Sequence, residues 1–403
     1  MQGLQVQVDR TRHALVIGAG LAGAAVCSVL AGKGWRLTLL DAASGPAKAA
    51  SALPVGMLSP HVTRAPTPLS RLSAIGVADT RAELERLVPQ GRGWQACEVD
   101  NLSHDTGRWP AALVRPSALV QAWLDEAARL GYLTTHWNQP VVHLWRVQSD
   151  TGDKESATRT HARWRALAAD GSTLAEAPVV VVCAAFGSLS LLTGAGVELP
   201  ASALPLRPVK GQLSLAELSG EPLASRPQRD NGVYVPSYED AGLTPLWPRR
   251  IWAMGSTYAR GDASTDITSE GHERNGQSLQ AMNPQAAERL REAADTRRLL
   301  GWAEVRCASL DRLPLVGAVP DNHTLDQLRG TRRRYMPSLA DIPREPGLYM
   351  LSAMGSRGIT LAHWCARLLG SQMQGESFDA EPDLIAAIDP ARFAWKQARR
   401  SSA

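Results

Sequence analysis

Cysteine is sparse in this sequence. Among 403 residues there are five, Cys27, Cys97, Cys183, Cys307 and Cys365, and no two form a C-x-x-C pair. An odd number at wide spacing excludes a disulfide framework and a structural zinc site, so no metal is expected. Most of them read as small buried hydrophobes in a reducing compartment. Lysine is equally rare: Lys33, Lys48, Lys154, Lys210 and Lys396 are the full set, and arginine supplies the other 38 of the 43 basic residues. In so arginine-rich a chain, any one arginine cluster carries little information. A net charge of +4 lacks the dense positive field of a dedicated nucleic-acid binder. Long apolar runs are missing too. Residues 1–13 are polar, and the apolar stretch that follows is interrupted by Gly18, Gly20 and Gly23. Neither a signal peptide nor the roughly 20 apolar residues of a membrane span is present. A soluble, cytoplasmic protein is expected. What is plentiful is core-forming material, 44% hydrophobic, in a length that suits two to three domains or one composite one.

The first 41 residues hold the sharpest motif. Ala14-Leu15-Val16-Ile17 reads as a strand and Gly18-Ala19-Gly20-Leu21-Ala22-Gly23 as a glycine turn. Residues 24–31 continue in helical composition, and Trp35–Leu40 forms a second strand closed by Asp41. Strand, glycine turn, helix, strand and acid in this order make a dinucleotide-binding βαβ unit. Gly18 permits the tight turn, Gly20 lets backbone amides approach a pyrophosphate, and Gly23 lets helix and sheet pack closely. Leu21 and Ala22 open the helix, whose N-terminus favours phosphate. Asp41, 21 residues beyond Gly20, is placed to accept hydrogen bonds from ribose hydroxyls.

Further along, residues 49–58 read as a small-residue loop, with helices at Pro68–Leu87 and Ala118–Leu130. Val141–Val147 and Arg163–Ala168 suggest a small meander. Val179–Cys183, a continuous β-branched run, reads as a fully buried strand. Between Pro205 and Ala303, short strands at Gln212–Leu215, Gly232–Pro236 and Ile251–Gly255 are punctuated by proline and glycine, as in an antiparallel sheet. The remaining hundred residues return to α/β, with Ala303–Leu315, a strand at Gly347–Ser352, a glycine turn and a helix at Ile359–Gln372. Residues 322–346 form a polar, basic insertion.

The N-terminal motif does not choose between NAD and FAD. The C-terminal strand–turn–helix, Leu348 to Thr360 with Gly355-Ser356-Arg357-Gly358 at its turn, is preceded by Val305-Arg306-Cys307-Ala308 and Asp311-Arg312-Leu313-Pro314. This pairing resembles the flavin site of the D-amino-acid-oxidase superfamily. Within it, Val209-Lys210-Gly211-Gln212, Asn231-Gly232 followed by Pro236, Gly255-Ser256-Thr257-Tyr258 and Asp389-Pro390-Ala391-Arg392 resemble one family. That family is the FAD-dependent oxidoreductase domain of the bifunctional tRNA 5-methylaminomethyl-2-thiouridine biosynthesis enzymes. The likeness runs from about His13 to the C-terminus. With thirteen residues before the first strand, the methyltransferase domain of the bifunctional members is not expected in this sequence. Ala52-Leu53 departs from the family's Gly-Asn, leaving Ser51 as the pyrophosphate contact.

The resemblance implies an α/β fold: a Rossmann-like FAD-binding domain (1–80, 113–205 and 304–403) interleaved with an antiparallel-sheet substrate domain (81–112 and 206–303). It implies noncovalent FAD, held by Gly18, Gly20, Leu21, Ala22, Gly23, Asp41, Ser51, Gly355, Ser356, Gly358 and Ile359. The implied reaction removes the carboxymethyl group of 5-carboxymethylaminomethyl-2-thiouridine at the tRNA wobble position, releasing glyoxylate, with molecular oxygen as a candidate electron acceptor. A substrate carboxylate needs a fixed cation, and the planar guanidinium fork suits it. Arg306 and Arg357 are the candidates, against the reading that either is a surface arginine. Tyr234, and less so Tyr258, is a candidate to cap the pocket or else a core aromatic. Lys210 either meets substrate or phosphate or caps a strand. Cys307 lies where some superfamily members attach flavin, and is read as a buried inert thiol. Candidate tRNA contacts are Arg329, Arg332, Arg333, Arg334 and Tyr335, with Arg249, Arg250, Lys396, Arg399 and Arg400. The alternatives are a flavin oxidase or dehydrogenase of a free small amine (glycine, sarcosine or a D-amino acid) and a non-catalytic binding module.

Overall fold

The computed structural model describes residues 12–103, 106–147, 163–194, 196–321, 323 and 338–401. Arg329, Arg332, Arg333, Arg334 and Tyr335 lie outside the described residues, as does the side chain of Arg400.

His13–Ile17 is the fourth strand of a six-stranded sheet. The order is Leu315–Pro320, Arg344–Ser352, Val179–Val182, His13–Ile17, Arg36–Leu40 and Leu133–His136. All neighbours are parallel except Leu315–Pro320, which runs against Arg344–Ser352. Both faces of this sheet are covered, which is why its strands read as unbroken apolar runs. Ala14, Val16, Leu37 and Val181 pack under the helices Leu21–Gly32, Pro116–Arg129 and Gly358–Gln374. Leu15, Ile17, Val180 and Val182 pack instead against Leu144, Trp164 and Ala166 of a three-stranded meander, His143–Val147, Arg163–Leu167 and Thr173–Ala177. The helix Pro68–Leu87 starts where proline and a capping box predict, with Thr67 and Ser70 bonding each other's backbone amides.

The second sheet has nine strands and is antiparallel apart from one pair. Leu206–Glu217 is its long central member, with Ala259–Arg260 and Arg250–Gly255 beside it. Gly232–Glu239, Gln228–Asp230, Trp94–Asn101, Gly107–Val114 and Gly56–Leu58 continue the sheet. Leu300–Ser309 pairs along its whole length with Leu206–Leu215. The strand that carries Arg306 therefore belongs to this sheet, and the chain rejoins the parallel sheet at Leu315, later than the sequence pattern suggests. Two helices unforeseen in the sequence, Ser269–Met282 and Pro284–Asp295, cover one face of the sheet through Leu279, Ala286, Ala287 and Leu290. The opposite face looks toward the parallel sheet.

Candidate active site

The glycine turn after His13–Ile17 is built by close approach. Gly18 holds φ at +104°, and a Cβ there would lie 2.6 Å from the carbonyl oxygen of Cys183. A Cβ on Gly23 would run into the carbonyl of Gly18. The helix Leu21–Gly32 has no side-chain cap from Gly20; the Leu21 N–H instead donates to Ser51 Oγ at 3.0 Å. Asp41 is tied to the same turn: its Oδ2 accepts from the Ala19 N–H at 2.6 Å and its Oδ1 from the Ala43 N–H at 2.8 Å. At the far end of the chain, Gly355–Arg357 turns into the helix Gly358–Gln374, which likewise has no side-chain cap.

Both turns open on one cavity of about 460 Å³. Gly20, Leu21, Ala22 and Ser51 line one part of it, and Gly355, Ser356, Gly358 and Ile359 another. Two uncapped helix N-termini facing a cradle that side chains would fill suit a pyrophosphate and a ring that takes up electrons. The residues present fit FAD. A more open cleft of about 580 Å³, lined by Pro46, Leu87, Arg92, Arg115 and Arg129 among others, touches neither turn.

The wall contributed by the antiparallel sheet carries the charge. Arg306 Nη1 donates to Ser256 Oγ at 3.0 Å, and its Nη2 to the carbonyls of Thr257 at 2.8 Å and Lys210 at 3.3 Å. Its Nε is buried with no partner among the described residues. Gly211 makes this placement possible, because a Cβ there would collide with the guanidinium. Tyr258 lies against Arg306, with the guanidinium carbon 5.3 Å from its ring centroid. Burial lowers the pKa of Arg306.

Arg357 also lines the cavity, and its Nη2 lies 2.9 Å from His61 Nδ1. A guanidinium only donates, so Nδ1 accepts and the imidazole proton sits on Nε2. Burial, then the charges of Arg357, Arg229 and Arg312, pushes His61 down to about 4. Burial, then Arg229 and Arg312, lowers Arg357 to about 10. Arg229 extends the cluster, donating to Asn101 Oδ1, Ser59 Oγ and the Pro60 carbonyl. Arg229, His61 and Ser59 were missed by sequence reasoning; Arg229 is adjacent to the Asp230-Asn231-Gly232 turn, but one arginine among 38 gave no signal.

Tyr234 is not part of this site. Successive strand residues point to opposite faces. Val233 and Val235 line the cavity, while Tyr234 is fully buried beneath the two helices with Trp252, Met254 and Leu279. Tyr258, 45% exposed at the cavity, is the tyrosine that the structure brings to Arg306. Lys210 is committed elsewhere: its Nζ donates to Ser264 Oγ at 2.9 Å and lies 3.6 Å from Asp262. Cys307 lines the cavity, and burial raises its thiol to about 11, keeping it protonated at neutral pH. Arg249 pairs with Glu239 at 3.2 Å, and Lys396 and Arg399 are exposed on the helix Arg392–Ser401; neither they nor Arg250 lines the cavity. Among the described residues no cluster of His, Cys, Asp or Glu could hold a metal ion, and no helix is long and apolar enough to cross a membrane.

Comparison with known proteins agrees with this construction. The solved structure of glycine oxidase from Geobacillus kaustophilus superposes with a TM-score of 0.63 at 16% identity, covering 95% of this chain and 99% of that one. Iminodiacetate oxidase from Chelativorans sp. BNC1 gives 0.64 at 19% identity, covering 94% and 98%. These likenesses show the fold. Among curated proteins, the tRNA 5-methylaminomethyl-2-thiouridine biosynthesis bifunctional protein of Paracidovorax citrulli is 33% identical over 94% of this chain. Its counterpart in Ralstonia nicotianae is 34% identical over 96%. The chain spans about 60% of the length of these relatives, 60% and 61% respectively. The family model for FAD dependent oxidoreductases matches residues 13–113 and 104–372. The chain therefore belongs to the FAD-dependent oxidoreductase family, and the residues between its two glycine turns fit the cofactor of that family.

Proposed function

We propose that this enzyme oxidises a carboxymethylamine on the wobble uridine of tRNA, converting 5-carboxymethylaminomethyl-2-thiouridine to 5-aminomethyl-2-thiouridine and glyoxylate. The observation that carries the reading is Arg306, a desolvated guanidinium in the cavity that no carboxylate among the described residues neutralises. The similarity to the bifunctional tRNA-modifying proteins supports the choice of substrate.

Arg306 binds the substrate carboxylate and fixes the N–CH₂ carbon in the cavity. Arg357, oriented by neutral His61, adds a second cation to the lining of the site. Burial of both guanidinium groups strengthens their hold on an anion, because water competes less. FAD, held at Gly18–Gly23, Asp41, Ser51 and Gly355–Ile359, supplies the two-electron acceptor when bound. The backbone amides of Gly355–Gly358 and the helix they open favour negative charge beside them. On the substrate side, the secondary amine gives up its proton to solvent, and loss of hydride from the CH₂ carbon leaves a C=N bond. Water adds across that bond, and breaking the C–N bond releases the primary amine on the base and glyoxylate. The same reading places the work in the cytoplasm and makes molecular oxygen a candidate final acceptor, checked by peroxide release.

The test is anaerobic bleaching of the bound flavin by tRNA carrying the carboxymethylaminomethyl group, compared with glycine and sarcosine. Bleaching by the modified tRNA with release of glyoxylate is expected. Bleaching by the free amino acids alone would overturn the reading.

A further inference from the structure

Four guanidinium groups stand in or near the cavity: Arg306, Arg357, Arg229 and Arg312. Arg306, Arg357 and Arg229 line it directly, and Arg312 lies close enough to act on the charge states of His61 and Arg357. None of the four makes an ion pair with a carboxylate among the described residues. Arg229 meets only neutral acceptors, on Asn101, Ser59 and Pro60. Arg357 meets a neutral imidazole. Asp311, next to Arg312, is occupied by Arg392. Asp230 alone brings a carboxylate to the cavity wall, and it is exposed.

A single substrate carboxylate does not balance four cations. The surplus has a direction. Arg306 and Arg357 are desolvated, Arg229 is half-buried, and Arg312, held at φ +64° in its turn, is exposed. The unneutralised charge thus runs from the reaction centre outward to solvent. Ser59 Oγ and the Pro60 carbonyl brace the Arg229 guanidinium so that it is fixed without being neutralised. A free amino acid would leave the outer part of this charge unused. A nucleotide in a polymer carries phosphodiesters on the ribose joined to N1 of the base, apart from the reacting group on C5, and a guanidinium fork suits them.

We propose that Arg229 and Arg312, with Arg357 between them and the reaction centre, form a second anion seat that takes a backbone phosphodiester of the RNA bearing the substrate base. This rests on the tRNA reading above. Arg306 reads the carboxylate, and the outer seat reads the polymer.

The test uses the FAD-loaded enzyme and two substrates with the same reacting group. One is the free modified nucleoside, which has no phosphate; the other is an anticodon stem-loop oligonucleotide carrying it. Arg312→Ala removes an exposed side chain, and Arg229→Gln keeps a donor for Asn101 while removing the charge. Flavin bleaching gives kcat/KM for both substrates, and the flavin absorbance gives FAD content. The ratio of oligonucleotide to nucleoside kcat/KM is expected to fall about tenfold in each variant. The salt dependence of oligonucleotide binding should lose roughly one unit of slope in Arg312→Ala. An unchanged ratio, or an equal fall for both substrates, would overturn the seat. Loss of FAD from the variants would assign it to the cofactor instead. If wild-type enzyme is bleached by neither substrate, the tRNA reading itself fails and takes this inference with it; bleaching by the nucleoside with an unchanged ratio sinks the seat alone.

Discussion

Arg392 and Arg306 are answered in opposite ways. Arg392, 1% exposed, donates to both carboxylate oxygens of Asp311 at 2.8 and 3.0 Å and to the carbonyls of Leu313 and Pro314 at 3.0 Å. Every part of its guanidinium is matched, and the pair ties the C-terminal helix to the turn after Leu300–Ser309. Arg86 is treated the same way, bonded to Glu83 at 2.8 Å and to Glu126. Arg306, five residues before Asp311, receives only a hydroxyl and two carbonyls, and its Nε receives nothing. A cation whose counter-ion is built into the protein serves the fold. One held out of water with neutral braces carries a desolvation cost that an incoming anion relieves.

The contrast can be broken by mutation. Asp311→Asn would leave Arg392 buried without a counter-charge and is expected to cost about 3 kcal/mol in stability; denaturant unfolding measures it. Arg306→Met should behave oppositely, leaving the unfolding midpoint unchanged or higher while lowering kcat/KM for a carboxymethylamine by roughly 10²-fold or more. A destabilised Arg306→Met with full activity would erase the distinction. Gly211→Ala sharpens it: the added methyl displaces the guanidinium without altering its charge, and a loss of roughly tenfold in kcat/KM with FAD content intact is expected. His61 gives a pH signature. Its pKa falls from 6.5 to about 4 on folding, so between those values the unfolded chain binds the extra proton. Stability is therefore lost as pH drops through that window, and His61→Gln should flatten this acid limb. An unaltered slope in the variant would mean that the imidazole is not held neutral. Tyr234→Phe is the smallest change, removing a buried hydroxyl that has no partner among the described residues; it should alter kcat/KM less than twofold and leave stability equal or improved.

How far the sequence could lead varied with the physical origin of each feature. The glycine turn, Asp41 and the strand Val179–Val182 were legible because backbone approach and two-sided burial restrict residue type locally. The strand Gly232–Glu239 was legible as a strand, but Tyr234 and Val235 are both buried, so no polar alternation marks which face meets the cavity. The helices Ser269–Met282 and Pro284–Asp295 escaped because few of their residues are apolar. Their signals lay in the caps: Thr268 accepting from the Gly271 N–H, and Asn283, followed by Pro284 at the first helical position, accepting from the Ala286 N–H. Arg229 is braced by Ser59 and Pro60, 170 and 169 residues away, and His61 meets Arg357, 296 residues away; no local pattern encodes such contacts.

The order of the parallel sheet has a consequence for how the molecule is made. His13–Ile17 is flanked on one side by Arg36–Leu40, available almost at once, and on the other by Val179–Val182, which is synthesised more than 160 residues later. Val179–Val182 in turn waits for Leu348–Met350 on its outer edge. Such pairings carry high contact order and close slowly. A nascent chain that has not yet produced Gly355–Ile359 lacks one wall of the flavin cavity, however well formed its glycine turn. The complete cavity therefore forms only after nearly the whole chain has been made.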